Sequence, residues 1–374
     1  MKFLKRYHLK HYKFSLIMLV LAISAVGVVA VGSARKDLQM RQLEGVILGL
    51  LVMIVISFID YKWLLKFYWL MYAGNLALLT SVLLFGKTVN NAKRWLYIGS
   101  FGFQPSDLTK ILLILFFARF LSKHREDMHT KKWFIPECIG LILPTLILIY
   151  KQPNLSNTLC IAALFCMLMF LGGLSYKFIG RCLMVFIPLA AIFLVIVLQP
   201  NQPFIKEYQQ ERILSWLEPE KHATDGAYQQ QNSIMAIGAG QLSGNRNSVT
   251  SVKNGNFILE PQTDFIFAVI GEDFGFVGCC TVIILLLLII IECILTGLRA
   301  TDLAGQLICG GAASLIGIQT FINISVATGI FPNTGLSLPF VSSGLTSIVC
   351  MYMGIGFVLN VGLQPNKYDK EMIA

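Results

Sequence analysis

Long, uninterrupted apolar runs recur along almost the whole chain. The first extends from Phe14 to about Gly32, and a later one, "FVGCCTVIILLLLIIIECILTG", begins at Phe276. A run of about 18 or more apolar residues can cross a bilayer as a helix, whereas a transmembrane β-strand needs only about ten residues of alternating polarity. Because these runs are continuous, the sequence predicts an all-α polytopic membrane protein. The composition agrees, since 56% of the residues are hydrophobic and 13% are charged, against about 25% charged in soluble domains.

We predict about ten transmembrane helices within one membrane domain, residues 1–374. The predicted spans cover residues 14–34, 43–60, 64–86, 106–122, 133–150, 157–174, 178–199, 265–296, 303–329 and 344–363. A large extracytoplasmic loop, residues 200–264, separates the seventh and eighth spans, and its amphipathic stretches predict short interfacial helices. The eighth span is too long for a simple crossing, so we expect its start to be tilted or interfacial.

Lysines and arginines indicate the orientation. They are concentrated in the N-terminal segment and in the short loops on the same side, for example at Lys62 and Lys66, and are fewer in the short loops on the other side. The excess of positive charge inside predicts that both termini are cytoplasmic. The polar segments 87–105 and 200–264 then face outward, and this is where we expect a functional site.

A lysine lies inside the fourth predicted span. Pro105 and Ser106 suit a helix start, and Lys110 follows Asp107 by three residues, which places the two charges on one helix face. A cation inside a span faces protein or water rather than lipid. Two readings stay open: a snorkelling lysine paired with Asp107, or an anion-binding cation with Arg94 beside it.

The segment "YKQPNLSNTL", residues 150–159, forms a polar turn at the head of the sixth predicted span. Lys151 and Gln152 are candidates for contact with an anionic head group. A simple capped loop explains Asn154 and Ser156 equally well. Further along, the glycines of "GAGQLSG", residues 238–244, permit close approach to a phosphate or form a flexible loop.

Four acids lie in "EPQTDFIFAVIGEDFG", at the start of the eighth span. On a regular helix Asp264 and Glu272 are about 12 Å apart along the axis and about 80° apart around it, so they cannot form a tight pair of carboxylates. We expect Asp264 at the membrane surface, either as a helix N-cap or within reach of water and a head group. Glu272 and Asp273 are predicted to be deeper structural support, in a polar network with Lys110 or other cations, where Gly271, Gly275 and Gly278 permit close helix packing.

Six segments together resemble the SEDS family of RodA-, FtsW- and SpoVE-like proteins. They are "KRWLYIGSFGFQPSDLTK", "KQPNLSNTL", "QQERILSWLEPE", "AYQQQNSIMAIGAGQLSG", "PQTDFIFAVIGEDFG" and "PNTGLSLPFVSSGLTS". They occur in family order and cover nearly the whole chain, and the short tails and the "KQP" segment are slightly more similar to RodA. Three segments depart from the family pattern: Asp107 replaces a glutamate, Asn154 replaces an acid, and Ser343 and Leu345 replace a tyrosine and a glycine.

The resemblance implies a peptidoglycan glycosyltransferase of the bacterial cytoplasmic membrane. Such an enzyme polymerises lipid II into glycan strands at the outer face, for cell elongation or division. It implies a class B penicillin-binding protein and other elongation or division proteins as partners, and no nucleic acid. The essential aspartate of the family falls on Asp264. The positions expected to contact substrate fall on Arg94, Trp95, Gln104, Ser106 and Lys110.

We expect Asp264 to be the general base and Arg94, Lys110 and Lys151 to stabilise a departing diphosphate. A divalent cation, Mg²⁺ or Mn²⁺, that bridges Asp264 and the diphosphate is a further expectation, and no organic cofactor is expected. A lipid II flippase or other transporter without chemistry is the alternative, because intramembrane charges also suit a translocation path. A scaffold that positions a partner synthase is the third possibility.

Overall fold

The computed structural model describes residues 12–89, 92–99, 101–131, 133–178, 207–218, 226–245 and 260–364, with isolated positions between 180 and 199. The helices in these residues are numbered here in chain order. They are α1 Phe14–Ala34, α2 Gln39–Ser57, α3 Tyr68–Phe85, α4 Pro105–Lys123, α5 Phe134–Lys151, α6 Leu155–Leu171, α7 Glu207–Leu217, α8 Gly226–Ala239, α9 Ile266–Arg299, α10 Leu303–Ala327 and α11 Leu345–Leu363. Short helical turns, Lys36–Leu38, Tyr61–Leu64, Leu65–Phe67 and Asp127–Thr130, connect some of them.

The chain is a mostly helical, multi-pass membrane protein. Seven helical segments in the described part are long and apolar enough to cross a membrane, those that contain α1, α2, α3, α5, α9, α10 and α11, and α6 is apolar but shorter. Together with α4 they coincide with nine of the predicted spans. The remaining predicted span, residues 178–199, falls largely outside the described residues, so the total of ten stays a prediction. In the predicted loop 200–264, α7 and α8 are short helices, as expected.

The helices alternate in direction, so the bundle has two ends. We call the end at which α1 ends and α4, α6 and α11 begin the site face, and the opposite end, at which α1 begins, the terminal face. At the terminal face the Tyr61 hydroxyl donates to the Asp302 carboxylate over 2.5 Å, and the Tyr61 amide donates to Asn360 over 3.0 Å. Such bonds stabilise the loops there because each satisfies a polar group beside the membrane.

Small residues allow α2 and α11 to pack closely. A Cβ atom at Gly49 would lie 2.6 Å from the ring of Tyr352, and one at Gly356 would lie 2.9 Å from the carbonyl oxygen of Met53. The Tyr352 hydroxyl is buried and lies 2.7 Å from the Ser24 hydroxyl on α1. Close backbone approach and hydrogen bonds between helices replace the hydrophobic driving force that is absent between helices in lipid.

A small antiparallel sheet joins α3 and α4 at the site face. Its strands are β1 Lys87–Val89, β2 Ala92–Ile98 and β3 Phe101–Phe103, in the order β1-β2-β3. The sequence predicted only a polar connection here. β1 and β3 have three residues each, too few to be recognised from periodicity alone.

The helix α9 is broken near its start. Gly275 has φ 65° and ψ −160°, which is not helical, and divides α9 into a first part, Ile266–Phe274, and a second part, Phe276–Arg299. The second part alone is about 36 Å long, enough to cross the bilayer. The first part therefore does not need to cross, which agrees with the expected tilted or interfacial start.

Candidate active site

Asp264 lies in the turn that precedes α9 and is half-buried. Its backbone carbonyl accepts a hydrogen bond from the Asn323 side chain on α10 over 3.0 Å, and its amide donates to the Glu260 carbonyl over 3.3 Å. A Cβ atom at Gly335 would lie 3.1 Å from the carboxylate, so this glycine leaves space in front of it. The structure places Phe265 at the N-cap of α9, so Asp264 precedes the cap and the N-cap expectation is wrong.

The connection between α10 and α11, residues 328–344, folds back onto the turn that holds Asp264. The Ser342 hydroxyl donates to the Thr263 carbonyl over 2.6 Å, and the Ser343 amide donates to the Gln262 carbonyl over 2.8 Å. The Asn323 side chain, besides its bond to residue 264, donates to the Leu336 carbonyl over 2.7 Å. Two segments predicted to be functional are thus held together by bonds to backbone carbonyls, which fixes the position of the Asp264 carboxylate.

The level of Asp264 in the bundle follows from its partner on α10. Asn323, which bonds to the Asp264 carbonyl, lies four residues before the site-face end of α10 at Ala327. Four residues of helix are about 6 Å long. Asp264 therefore lies about one helical turn inside the site face.

Lys110 and Asp107 form a buried ion pair. The ammonium nitrogen of Lys110 lies 2.9 Å from a carboxylate oxygen of Asp107, and the two side chains are 1% and 8% exposed. The expected pairing is confirmed, and the shorter Asp107 reaches the lysine; the expectation that Lys110 snorkels is wrong, because its side chain is enclosed. Lys110 is enclosed by the bundle in this conformation, so a substrate does not touch it here.

The N-terminal ends of α4 and α6 are joined by polar side chains. The side-chain amide of Asn157 donates to the hydroxyl of buried Ser106 over 3.3 Å. Asn154 is the N-cap of α6, since its side-chain oxygen accepts from the backbone N–H of Asn157 over 3.3 Å. The capped-loop reading of this segment is confirmed, and Ser106 lies inside that junction.

The small sheet contacts the turn between α5 and α6 through Arg94. Its guanidinium donates to the carbonyls of Gln152, over 3.4 Å, and Pro153. The Gln152 side chain is 1% exposed and donates to the Leu79 carbonyl over 3.0 Å. Gln152 therefore supports the turn from inside, whereas Lys151 is exposed at the site face.

Trp95 and Gln104 are half-buried on the same sheet and at its exit into α4. Trp95 lies beside Gly102, where a Cβ atom would be 3.5 Å from the indole ring. Arg94, Trp95, Gln104 and Lys151 thus share one region of the site face, and their contacts with substrate stay predictions.

Glu272 and Asp273 are 2% and 3% exposed and lie immediately before the break in α9. The salt bridges between described residues pair Lys110 with Asp107 and with neither of these acids. Lys110 is thus neutralised by Asp107 on its own helix, and the expected polar network of the two acids with Lys110 or other cations stays a prediction. Both acids are buried next to the break, and their role as structural support stays a prediction.

The segment that follows α8, residues 240–245, completes the hydrogen bonds at the break. The amides of Phe276 and Val277 donate to the Gln241 and Leu242 carbonyls over 2.9 and 3.2 Å, and the Asn245 amide donates to the Glu272 carbonyl over 2.8 Å. Backbone groups freed by a break inside a membrane protein need such partners.

Glycines allow this approach. A Cβ atom at Gly240 would lie 1.8 Å from the Gly271 carbonyl oxygen, and one at Gly244, which has φ +88°, would lie 2.1 Å from the Asp273 carbonyl oxygen. The predicted close approach of this glycine segment is therefore made to the backbone of α9 rather than to a phosphate. Gly275 likewise faces this segment, whereas Gly271 faces Ile237 at the end of α8.

Asn323 and Gly335 were not recognised in the sequence. The available signal for Asn323 was an amide inside an otherwise apolar span, which indicates a protein-facing position. A divalent cation would have Asp264 as its protein ligand. Among the described residues there is no group of three or more His, Cys, Asp or Glu side chains that could hold a metal ion. A substrate diphosphate would have to supply most of the remaining oxygens, which is the usual arrangement for Mg²⁺.

Comparison with known proteins agrees with this geometry. A family model described as "Cell cycle protein" and covering FtsW, RodA and SpoVE matches residues 3–367. A probable peptidoglycan glycosyltransferase FtsW of Taylorella equigenitalis is 33% identical, over 88% of this chain and 89% of that protein. The peptidoglycan glycosyltransferase MrdB of Escherichia coli K12 is 29% identical, over 97% and 96%.

Solved structures are also similar over almost the full length. A chain from a peptidoglycan synthase complex, in a study of coordinated polymerisation and crosslinking, has a TM-score of 0.79 at 29% identity, and covers 94% of this chain and 97% of its own. The rod shape determining protein RodA of Thermus thermophilus has a TM-score of 0.70 at 28% identity, with 94% and 96% covered. The chain therefore belongs to the FtsW/RodA/SpoVE family of cell cycle proteins, also called the SEDS family.

Proposed function

We propose that this protein is a peptidoglycan glycosyltransferase that polymerises lipid II at the outer face of the bacterial cytoplasmic membrane. The observation that carries the proposal is the placement of Asp264, half-buried near the site face and held by a bond from Asn323. The relatives named above support it, since those proteins are named peptidoglycan glycosyltransferases.

The reaction transfers a growing glycan to the 4-hydroxyl of an acceptor lipid II. Asp264 accepts the proton of that hydroxyl, the oxygen forms a bond to the anomeric carbon, and the bond from that carbon to the diphosphate oxygen breaks. Undecaprenyl diphosphate leaves with the electron pair, and the proton passes from Asp264 to water. A half-buried carboxylate suits the role of general base because it can contact the sugar hydroxyl on one side and solvent on the other.

Positive charge near the leaving group stabilises the departing diphosphate. Exposed Lys151 is available for this, with Arg94 beside it at the same turn. We assign Lys110 a supporting role through Asp107, because the pair is enclosed. Asp264 would be the protein ligand of a Mg²⁺ or Mn²⁺ ion, which would supply further positive charge for the departing diphosphate.

The orientation follows from the positive-inside rule, which places both termini in the cytoplasm and the site face outside. We propose a class B penicillin-binding protein as the partner, because the similar solved chain belongs to a complex that couples polymerisation with crosslinking. The relatives include both FtsW and MrdB proteins. We propose a role in elongation or division, and the slightly RodA-like sequence features favour elongation.

The experiment supplies purified protein with lipid II in liposomes, with and without the partner and with Mg²⁺, Mn²⁺ or a chelator. Glycan polymer is the expected product. Movement of lipid II across the bilayer without any polymer would support a transporter. Polymer that forms only from the partner's own activity, and is unchanged when this protein is omitted, would support a scaffold.

A further inference from the structure

One side of the small sheet carries aromatic and cationic side chains. In β2, Trp95 and Tyr97 alternate with Arg94, so they lie on the opposite side from the guanidinium that bonds to the turn between α5 and α6. Lys87 is the cross-strand partner of Trp95 and therefore shares the side of the two rings. We call this surface the aromatic face of the sheet, and it consists of Lys87, Lys93, Trp95 and Tyr97.

The two rings of the aromatic face lie close together over Gly102, the cross-strand partner of Tyr97. A Cβ atom at Gly102 would lie 3.2 Å from the Tyr97 ring and 3.5 Å from the indole of Trp95. The ammonium nitrogen of Lys87 lies 5.0 Å from the centre of the Tyr97 ring, close enough for a cation to be attracted to it. Tyr97 is 41% exposed, so much of its ring is accessible to a ligand.

The segment that forms the sheet is cationic. Residues 86–104 contain two lysines and one arginine and no aspartate or glutamate, and Lys87 and Lys93 are both exposed. Aromatic rings beside exposed cations suit a ligand that has apolar ring faces and negative charge. A glycan that carries stem peptides has both, because the C–H groups of a sugar ring pack on an aromatic ring and the carboxylates attract lysine.

Hydrogen bonds connect the sheet to the turn that holds Asp264. The Thr346 hydroxyl, in the first turn of α11, donates to the Gly102 carbonyl over 3.2 Å. Four residues earlier, the Ser342 hydroxyl donates to the carbonyl of Thr263, the neighbour of Asp264. The chain from Ser342 to Thr346 spans at most about 14 Å. A polymer that extends from Asp264 toward the sheet therefore reaches the aromatic face within a few sugar rings.

We propose that the aromatic face binds the growing glycan strand near its reducing end and keeps the strand on the enzyme between successive transfers. This proposal rests on the proposed function, in which the lengthened strand must move by one disaccharide after each transfer. Stacking on aromatic rings suits such movement because it does not depend on a fixed set of hydrogen bonds, as in proteins that bind single-stranded nucleic acids without sequence preference. The strand is then extended many times before it is released.

The first test measures binding without chemistry. The ligand is a lipid-free glycan oligomer that carries stem peptides, and its Kd for the full chain in nanodiscs is measured by calorimetry. Tyr97→Ala should raise the Kd about fivefold, and Lys87→Gln should raise it about two- to fivefold at low salt and less at high salt. The matched control is Tyr176→Ala, at a tyrosine that is 79% exposed near the terminal face, and its Kd should equal that of the wild type.

Two results of this test would overturn the proposal. One is a wild-type protein that does not bind the oligomer, or a Tyr97→Ala variant that binds it equally well. The other comes from a lipid with a photoreactive head group in the same nanodiscs. Labelling of β2 by that lipid to the same extent with and without the oligomer would show that the aromatic face belongs to the bilayer surface.

The second test measures the length of the strands made from lipid II. Faster release should make the strands of Tyr97→Ala and Lys87→Gln up to about fivefold shorter, because weaker binding appears mainly in the dissociation rate. Tyr176→Ala should make strands of wild-type length. Strands of normal length from both variants of the aromatic face would refute this proposal and leave the proposed function intact. A wild-type protein that binds the oligomer through Tyr97 but makes no polymer would refute the proposed function alone.

Discussion

The buried pair of Lys110 and Asp107 gives a prediction whose size follows from the structure. The charged atoms are 2.9 Å apart and the side chains are 1% and 8% exposed. Removing one partner leaves the other charge buried and unpaired, which costs about 3–5 kcal/mol, whereas replacing both by apolar residues is often close to neutral. Lys110→Met and Asp107→Leu should therefore each lower the unfolding temperature by roughly 6–20 °C, and the double variant should recover most of that loss.

The assay is thermal unfolding of the purified variants in one detergent, arranged as a double-mutant cycle. The control pair is Lys131 and Asp127, which are 3.0 Å apart but have side chains 64% and 22% exposed. Lys131→Met should change stability by less than about 1 kcal/mol, because water screens exposed pairs. A double variant as unstable as the sum of the two single variants would refute the reasoning.

Four further predictions concern the supports of the site. Gly275→Ala should lower the unfolding temperature, because the added Cβ would lie 2.5 Å from a backbone nitrogen and φ is +65°; Gly74→Ala, with nothing within 4 Å, should not. Asn323→Leu loses two bonds to backbone carbonyls, and should expose the 328–344 connection to protease and slow polymerisation. Gln319→Leu, one turn away, should keep or raise stability, because neither amide atom has a described partner. Arg94→Lys should lower the unfolding temperature by a few degrees, since an ammonium cannot reproduce the guanidinium's two bonds.

The transmembrane helices were predictable because burial in lipid leaves few alternatives to a continuous apolar helix. The run that starts at Phe14 was sufficient to place α1. The ion pair of Asp107 and Lys110 was also predictable, since a spacing of three residues places both on one helix face. These are local properties, and the sequence reports them directly.

The break in α9 was not predictable from local pattern. Gly275 was interpreted as a small residue for helix packing, whereas it adopts a left-handed φ and contacts a segment about thirty residues earlier, near Gly244. The role of Gln152 was missed for a similar reason, because its partner is the Leu79 carbonyl on a different helix. Such contacts between distant segments depend on the tertiary fold, so one sequence alone does not reveal them.

The resemblance to a family placed Asp264 in the site, and the structure supplied what holds it there. Neither Asn323 nor Gly335 stood out by residue type alone. Both are explained by the single turn they surround, since one anchors its backbone and the other leaves space before its carboxylate.

The measurement that tests the central claim most directly is the polymerisation rate of Asp264→Asn against wild type, in the same liposomes and with the same partner. The control is Asp37→Asn, whose side chain is 64% exposed on the connection between α1 and α2. Loss of a general base predicts a rate at least about 100-fold lower for Asp264→Asn, with an unchanged unfolding temperature and a normal rate for the control. An Asp264→Asn variant that polymerises lipid II at the wild-type rate would contradict the account.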